Sequence, residues 1–508
     1  MPTCSRESQR RGPSRRPWRI ASSRTLAVLL AGACLAAAHA AGPPPTQEDE
    51  LLQRIIEHVD GGHFRAADSL IAQAEATADG LIPRGIVFQR ERMRRILLDF
   101  SLDEAALRSA VQRQIPDLRG SEFQRWRRAG LFESMEIDGQ VRYFARAPHN
   151  LFRLSEQARE RRAEPRPFND SPLEAVQHPH HAEVRAGALA FGSRAATPRR
   201  VRITQSLTVE PDAVPAGETI RAWIPYPRDI PGQQEDIRLL GGDPADPRLA
   251  PESAAQRTAY FERTARAGEP ARFSVSYELT IFGQHVPVDP DRVVPVVPTQ
   301  DLAPYLSERA PHVLFTDALR LFSAQVVGDE TNPYRIARRL FDAVDRIPWA
   351  GAREYSTISN LGEYALRAGH ADCGQQTLLL IALLRLNGIP ARWQSGWIFS
   401  DGSYNNMHDW GWLYLAPYGW MPMDVTFGRL RGADPALEHF YLGGMDAYRV
   451  AFNDDYGREF VPAKTHFRSE TVDLQRGEAE WDGGNLYFDQ WDYDFEWELL
   501  PLPHDQRS

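Results

Sequence analysis

The chain has 508 residues, of which 42% are hydrophobic and 25% charged. It is too long for one hydrophobic core and too polar to live in a bilayer, so two or three soluble domains are expected. Its net charge is −9, an acidic balance that argues against nucleic acid as a partner.

Residues 1–40 differ from the rest. Seven arginines and one glutamate precede an apolar run, Leu26 to Ala38, which ends in Ala38-His39-Ala40. A charged n-region, a short h-region and an Ala-x-Ala site describe a secretory signal peptide, because the run is too short to span a bilayer and stay there. The expectation is a periplasmic or secreted protein with no membrane span after cleavage. Two variants stay open: Ser14-Arg15-Arg16 as part of a twin-arginine signal, and Leu30-Ala31-Gly32-Ala33-Cys34 as a lipoprotein box anchoring the protein at Cys34. Cleavage after Ala40 removes a charge of +6 from the total of −9 and leaves −15. It also removes Cys4 and Cys34, so Cys373 becomes the sole thiol. One cysteine cannot form an internal disulfide, and it is therefore either a small buried hydrophobe or a reactive group.

Residues 41–163 read as a helical N-terminal domain. Leu51, Leu52, Ile55, Ile56 and Val59 form one apolar stripe and Phe64, Ala67, Ile71 and Ala74 a second, with Gly61-Gly62 between them. Ser101 and Glu104 have the spacing of a capping box, and Asp138-Gly139 marks a hairpin turn. Helices followed by a hairpin suggest a winged helix, but export and acidic charge speak against a nucleic-acid reader. Residues 164–200, rich in Pro, Ala and His, read as a linker. Within it, Gln177-His178-Pro179-His180-His181 is expected on a solvated loop rather than as a metal site, because no further ligands accompany it at helical or strand spacing.

Residues 201–295 predict a β-sandwich-like domain. Phe273, Val275, Tyr277, Leu279 and Ile281 alternate with polar residues at the period of a half-buried strand, and strands are also expected over 201–209 and 219–224. Its expected role is a spacer or a module that positions substrate. Helical periodicity returns after Asp301, with Asn332-Pro333 as a helix start.

Residues 296–508 hold the chemistry. Around the sole thiol the sequence runs Gly369-His370-Ala371-Asp372-Cys373-Gly374-Gln375-Gln376, followed by an apolar stretch closed by Asn387-Gly388-Ile389-Pro390. Asp372 or a neighbour can cap a helix beginning at Cys373. At a helix start, unpaired N–H groups and the dipole favour thiolate over thiol and can hold an oxyanion. A strand over 391–399, a turn at Ser400-Asp401-Gly402-Ser403 and a second strand follow, in which His408, Trp410, Trp412 and Tyr414 share a face. A third segment, Gly419-Trp420-Met421-Pro422-Met423-Asp424, can pair antiparallel with the second and bring Asp424 within reach of His408. In that arrangement His408 takes the thiol proton and Asp424 orients the imidazole. The tryptophans are expected in the core.

The separations of 35 and 16 residues between Cys373, His408 and Asp424, and the order helix then strands, resemble the transglutaminase-like superfamily. Three matches carry the resemblance: Asp372-Cys373 followed by Leu384-Arg385-Leu386-Asn387-Gly388-Ile389-Pro390-Ala391-Arg392, then His408-Asp409-Trp410, then Gly419-Trp420 before Asp424. It covers residues 332–428, and the β-unit before them loosely resembles the domain that often precedes such cores in bacteria. It implies a multidomain α+β protein whose C-terminal catalytic domain is papain-like, with a Cys-His-Asp triad and neither cofactor nor metal. It also implies an oxyanion-hole side chain upstream of the cysteine, for which Trp349 and Tyr355 are both candidates. Asp409 departs from the family pattern, and strand alternation points it away from His408's face. Three functions stay open: a thiol hydrolase of peptide or amide bonds, peptidoglycan peptides among them; a protein-glutamine acyltransferase; and a binding module that keeps the fold. In the tail, Trp491, Tyr493, Phe495, Trp497 and Leu499 alternate with acids as a half-buried strand, expected to extend the catalytic sheet or cover its groove.

Overall fold

The computed structural model describes residues 46–77, 82–165 and 171–502. The expected signal peptide and Cys34 lie outside the described residues. No described helix is long and apolar enough to cross a membrane. The protein is a mixture of helices and sheets, with a helical N-terminal region followed by several sheets.

The two N-terminal stripes form helices Gln47–Asp60 and Phe64–Thr77, which bury Ile55, Val59, Phe64, Ala67 and Ile71. Gly62 between them has φ of +75°, and a Cβ there would lie 1.9 Å from the Glu136 carbonyl oxygen, so only glycine lets the hairpin dock. Helix Arg84–Asp99 follows, then Glu104–Gln112. The second is capped by Asp103, which accepts from Ala106 N at 2.7 Å, and not by Ser101 as the spacing predicts. The hairpin pairs Ser134–Ile137 with Gln140–Tyr143, and Asp138 and Gly139 take the two positive φ values its tight turn requires.

The histidine-rich segment is not a solvated loop. It caps and begins helix Pro179–Phe191: His178 accepts from His180 N, His181 accepts from His178 N, and the side chains of His180 and His181 are buried. His181 Nε2 lies 3.0 Å from the Tyr441 hydroxyl, and Ala447 N donates to His180 Nε2 at 3.0 Å. Ring contacts and these bonds fix the helix against the sheet region, which no local sequence spacing announces.

Two five-stranded sheets form the β-unit, and both borrow strands from the tail. In one, Ala271–His285 pairs with Gln234–Asp243, Gly444–Met445 and Ala195–Val209, and Ala195–Val209 pairs in turn with Trp491–Leu500. In the other, Thr219–Pro225 lies between Thr258–Thr264 and Glu478–Trp481. Phe273, Val275, Tyr277, Leu279 and Ile281 are all buried, as their alternation predicts. The tail strand joins this β-unit rather than extending the sheet that carries His408, although Phe495 stacks on Trp397 of that sheet at 4.4 Å.

The sheet that carries His408 has four antiparallel strands in the order Gly419–Met423, Asn405–Leu415, Ala391–Phe399, Arg449–Asn453. Helix Cys373–Leu386 is mostly apolar and buried from Gly374 to Arg385, between this sheet and helices Pro333–Asp345 and Leu361–Ala368. Asn332 caps the first of those helices ahead of Pro333, as predicted.

Candidate active site

Asp372 and Gln375 form a capping box, each side chain accepting from the other's backbone N–H at 3.1 Å, so Cys373 is the first residue of its helix. Cys373 as a residue is half-buried. Strand register sets His408 opposite Gly396, and a Cβ on Gly396 would lie 1.9 Å from the Val450 carbonyl oxygen. Strand Gly419–Met423 then delivers Asp424 to His408, whose Nε2 lies 2.8 Å from Asp424 Oδ2.

Asp424 is fully buried and heavily bonded. Its Oδ1 accepts from Thr426 N at 3.1 Å and Phe427 N at 3.0 Å, and its Oδ2 accepts from Arg449 Nη1 at 2.8 Å. Burial alone would raise this carboxyl, but His408 and Arg449 outweigh it and hold the group below its usual range. Arg449 also pairs with Asp446, and its guanidinium lies 5.1 Å from the ring centroids of Trp410 and Phe427.

On the helix side of the same strand stands a second group. Cys373 Sγ donates to Asp409 Oδ2 at 3.2 Å. Gln475 Nε2 donates to Asp409 Oδ1 at 2.9 Å, and the Tyr355 hydroxyl lies 3.0 Å from both Asp372 carboxyl oxygens and 3.1 Å from Asp409 Oδ2. Gly374 makes room for that hydroxyl, since a Cβ there would be 2.1 Å from it. Burial, reinforced by Asp473 and Asp372, pushes the Asp409 carboxyl well up, and burial pushes Asp372 up to about 6. Burial together with Asp409 and Asp372 pushes the Cys373 thiol up. A helix N-terminus favours an anion by up to about 2 kcal/mol. A unit charge about 4 Å away opposes it by roughly 4 kcal/mol at an effective dielectric constant of about 20, so the carboxyl groups dominate the thiol.

The structure thus pairs His408 with Asp424, while the hydrogen-bond partner of the thiol is Asp409. Alternation does set Asp409 on the face away from His408, and that is the face on which the cysteine helix packs. Tyr355 stands at the thiol with its hydroxyl committed to carboxyl groups. Trp349 pairs its backbone with Ala371, two residues before the cysteine, and its half-buried ring carries Arg153 at 4.9 Å. Trp410 and Trp412 are buried and both donate to Gln394 Oε1, at 2.6 and 3.0 Å, as core residues. Arg449, Gln475 and Asp473 were not anticipated; the one signal for Arg449 is a charge set in the apolar run Tyr448 to Phe452. Among the described residues no group of three or more His, Cys, Asp or Glu could hold a metal ion. A cavity of about 410 Å³ bordered by Arg194, Gln233, Gln284, Arg392, Trp412 and Trp420 includes none of the residues that surround the thiol.

A family profile described as the transglutaminase-like superfamily matches residues 320–425, which include Cys373, His408 and Asp424. A comparison with curated proteins found no match. Among solved structures, a candidate cysteine protease from Cytophaga hutchinsonii is similar at 15% identity and a TM-score of 0.40, covering 61% of this chain and 93% of that one. The periplasmic domain of TgpA from Pseudomonas aeruginosa is similar at 13% identity and a TM-score of 0.25, covering 45% and 88%. Over residues 320–425 the chain carries a core domain of the transglutaminase-like superfamily.

Proposed function

We propose that the protein is a cysteine-dependent hydrolase of amide or peptide bonds, acting in the cell envelope after export, with Cys373, His408 and Asp424 as its triad. The observation that carries this reading is the buried His408–Asp424 hydrogen bond of 2.8 Å, on the strand whose next residue, Asp409, bonds the cysteine that opens a helix. In this reading the thiol leaves its Asp409 contact for the His408 side of the strand, where His408 removes its proton as Sγ attacks the carbonyl carbon. N–H groups at the helix start take the oxyanion, and collapse breaks the C–N bond as His408 returns the proton to the leaving amine. Water then adds to the thioester, His408 takes its proton, and release of the acid restores the thiol. An amine in place of water would make the same site an acyltransferase. With its hydroxyl held by two carboxyl groups, Tyr355 is poorly placed to donate to the oxyanion, which favours Trp349 or the backbone for that role.

The test uses p-nitrophenyl acetate as an acyl donor and intact mass as the readout. We expect a transient single acetyl adduct on the mature protein, none in Cys373→Ser, and in His408→Ala an adduct whose hydrolysis is slower by about 10²-fold or more. No adduct on the wild type, or equal adduct lifetimes with and without His408, would overturn the assignment. Added glycinamide that shortens the adduct's life by forming acetylglycinamide would shift the reading to acyl transfer.

A further inference from the structure

The contact between Cys373 and Asp409 is not part of the triad chemistry, and it involves the residue at which this chain departs from the family pattern. We propose that Asp409 is a positioning residue that restrains the nucleophile: its carboxyl group holds the Cys373 thiol as a hydrogen-bond donor on the helix side of the strand and withholds it from attack until that contact is broken. The proposal rests on Cys373 being the nucleophile.

Geometry carries the argument. Asp409 is 1% exposed, its Oδ1 is fixed by the Gln475 amide, and its Oδ2 receives both the thiol at 3.2 Å and the Tyr355 hydroxyl at 3.1 Å. Gln475 is anchored in turn to the backbone of this sheet, donating to the Gly396 and His408 carbonyls at 3.1 and 3.0 Å. The carboxyl group is thus built into the sheet and cannot swing away without breaking several bonds. Of two coupled acids in contact, the carboxylic acid loses its proton first, so the thiol must ionise beside an existing negative charge. The surroundings deepen this bias. Asp372 faces the pair from the helix cap, and Asp473 faces Asp409 from the loop that precedes Gln475. His408 is the adjacent residue on the strand. Further out, Glu470 faces Asp473, while Arg468, Arg476 and Arg146 supply the compensating positive charge. The nearest charged groups to the thiol are therefore acids, and the arginines stand behind them.

Iodoacetamide alkylation of Cys373 followed by intact mass from pH 6 to 10 tests this in the full mature protein. In Asp409→Asn, which keeps an acceptor for Gln475, we expect the inflection of rate against pH to fall by about one unit or more, a rise of about tenfold in rate near pH 7.5. Asp409→Ala should move it the same way. Thermal unfolding of each variant identifies one that has lost its fold, and the other then decides. An unchanged inflection in a folded variant, or slower alkylation, would overturn the proposal, the second by making Asp409 an aid to ionisation. Failure here with a long-lived adduct in His408→Ala leaves the triad standing. The converse pattern removes the triad and leaves the restraint.

Discussion

Arg449 is 1% exposed and sits between two buried carboxylates, Asp424 and Asp446. Burial opposes its charge, yet the two acids raise its pKa further, so it stays a cation at every relevant pH. Its value to the site lies in keeping Asp424 ionised, because an ionised Asp424 is what fixes the His408 ring through Nε2. Truncating one partner of a buried ion pair typically costs about 3–5 kcal/mol, since the other charge is left stranded. Arg449→Met should therefore lose stability of that order in urea unfolding, and adding Asp446→Asn should restore part of it by removing one of the two stranded acids. A loss under about 1 kcal/mol in the single variant would mean that solvent screens the group after all. The positions of the proposed triad were legible because each lies on a short, regular element with a recognisable boundary: a helix start, a strand, a strand end. Arg449 was not, because its partner Asp424 is 25 residues away and the contact depends on a loop folding back.

At the scale of elements, the segment from Trp349 to Ser359 is the link between the helical N-terminal region and the thiol. It carries Tyr355 in a short 3-10 turn, Tyr355–Thr357, and the N-terminal helices hold it at several points. Asn150 makes two bonds to the backbone of Gly351, at 2.9 and 3.0 Å. Arg92 donates to the Thr357 carbonyl at 3.0 and 3.2 Å, and Ser359 Oγ donates to Asp60 at 2.6 Å. Each such bond contributes about 0.5–1.5 kcal/mol, so the clamp is strong only as a set. Asn150→Ala should raise amide exchange over residues 349–359 while leaving the N-terminal helices protected, as hydrogen exchange read by mass spectrometry will report. Unchanged exchange in the segment would show that its order is intrinsic. Sequence periodicity found the helices on both sides of this contact but gave no sign that they meet, since the pairs are more than 200 residues apart. The same non-locality misdirected the tail strand, whose partner Ala195–Val209 lies nearly 300 residues earlier, with Arg202 bonded to Glu498 at a separation of 296. It also hid the helix at His178, which is held by contacts to residues 440–448 rather than by its own composition.

For the whole molecule, buried acids of opposite bias set the dependence of stability on pH. Asp99, where the N-terminal helices meet the Tyr355 segment, accepts from Thr357 Oγ1 at 2.9 Å and Glu354 N at 3.2 Å. Burial, aided by the Glu354 carboxylate, pushes it up to about 7 from 3.8. A raised carboxyl binds more protons in the native than in the unfolded state, so its contribution is fully present below pH 3.8 and is lost as pH rises through about 7. Asp372, raised to about 6, acts in the same direction. Asp424 and Glu278 act oppositely: their pKa values are lowered, Glu278 to about 2, and their contribution is lost as pH falls. Stability carried by these groups should therefore peak on the acid side of neutrality, between the two windows. Asp99→Asn keeps an acceptor for Thr357 and removes the charge that must form at high pH. Three pKa units correspond to a ceiling of about 4 kcal/mol, reduced in practice by local relaxation, so a gain of roughly 1–3 kcal/mol is expected at pH 8 and little change at pH 4.5. Urea midpoints of wild type and variant at the two pH values make the comparison. An equal effect at both, or destabilisation at pH 8, would mean that Asp99 is ionised in the native protein and that Arg353, which favours its charged form, outweighs burial at this junction.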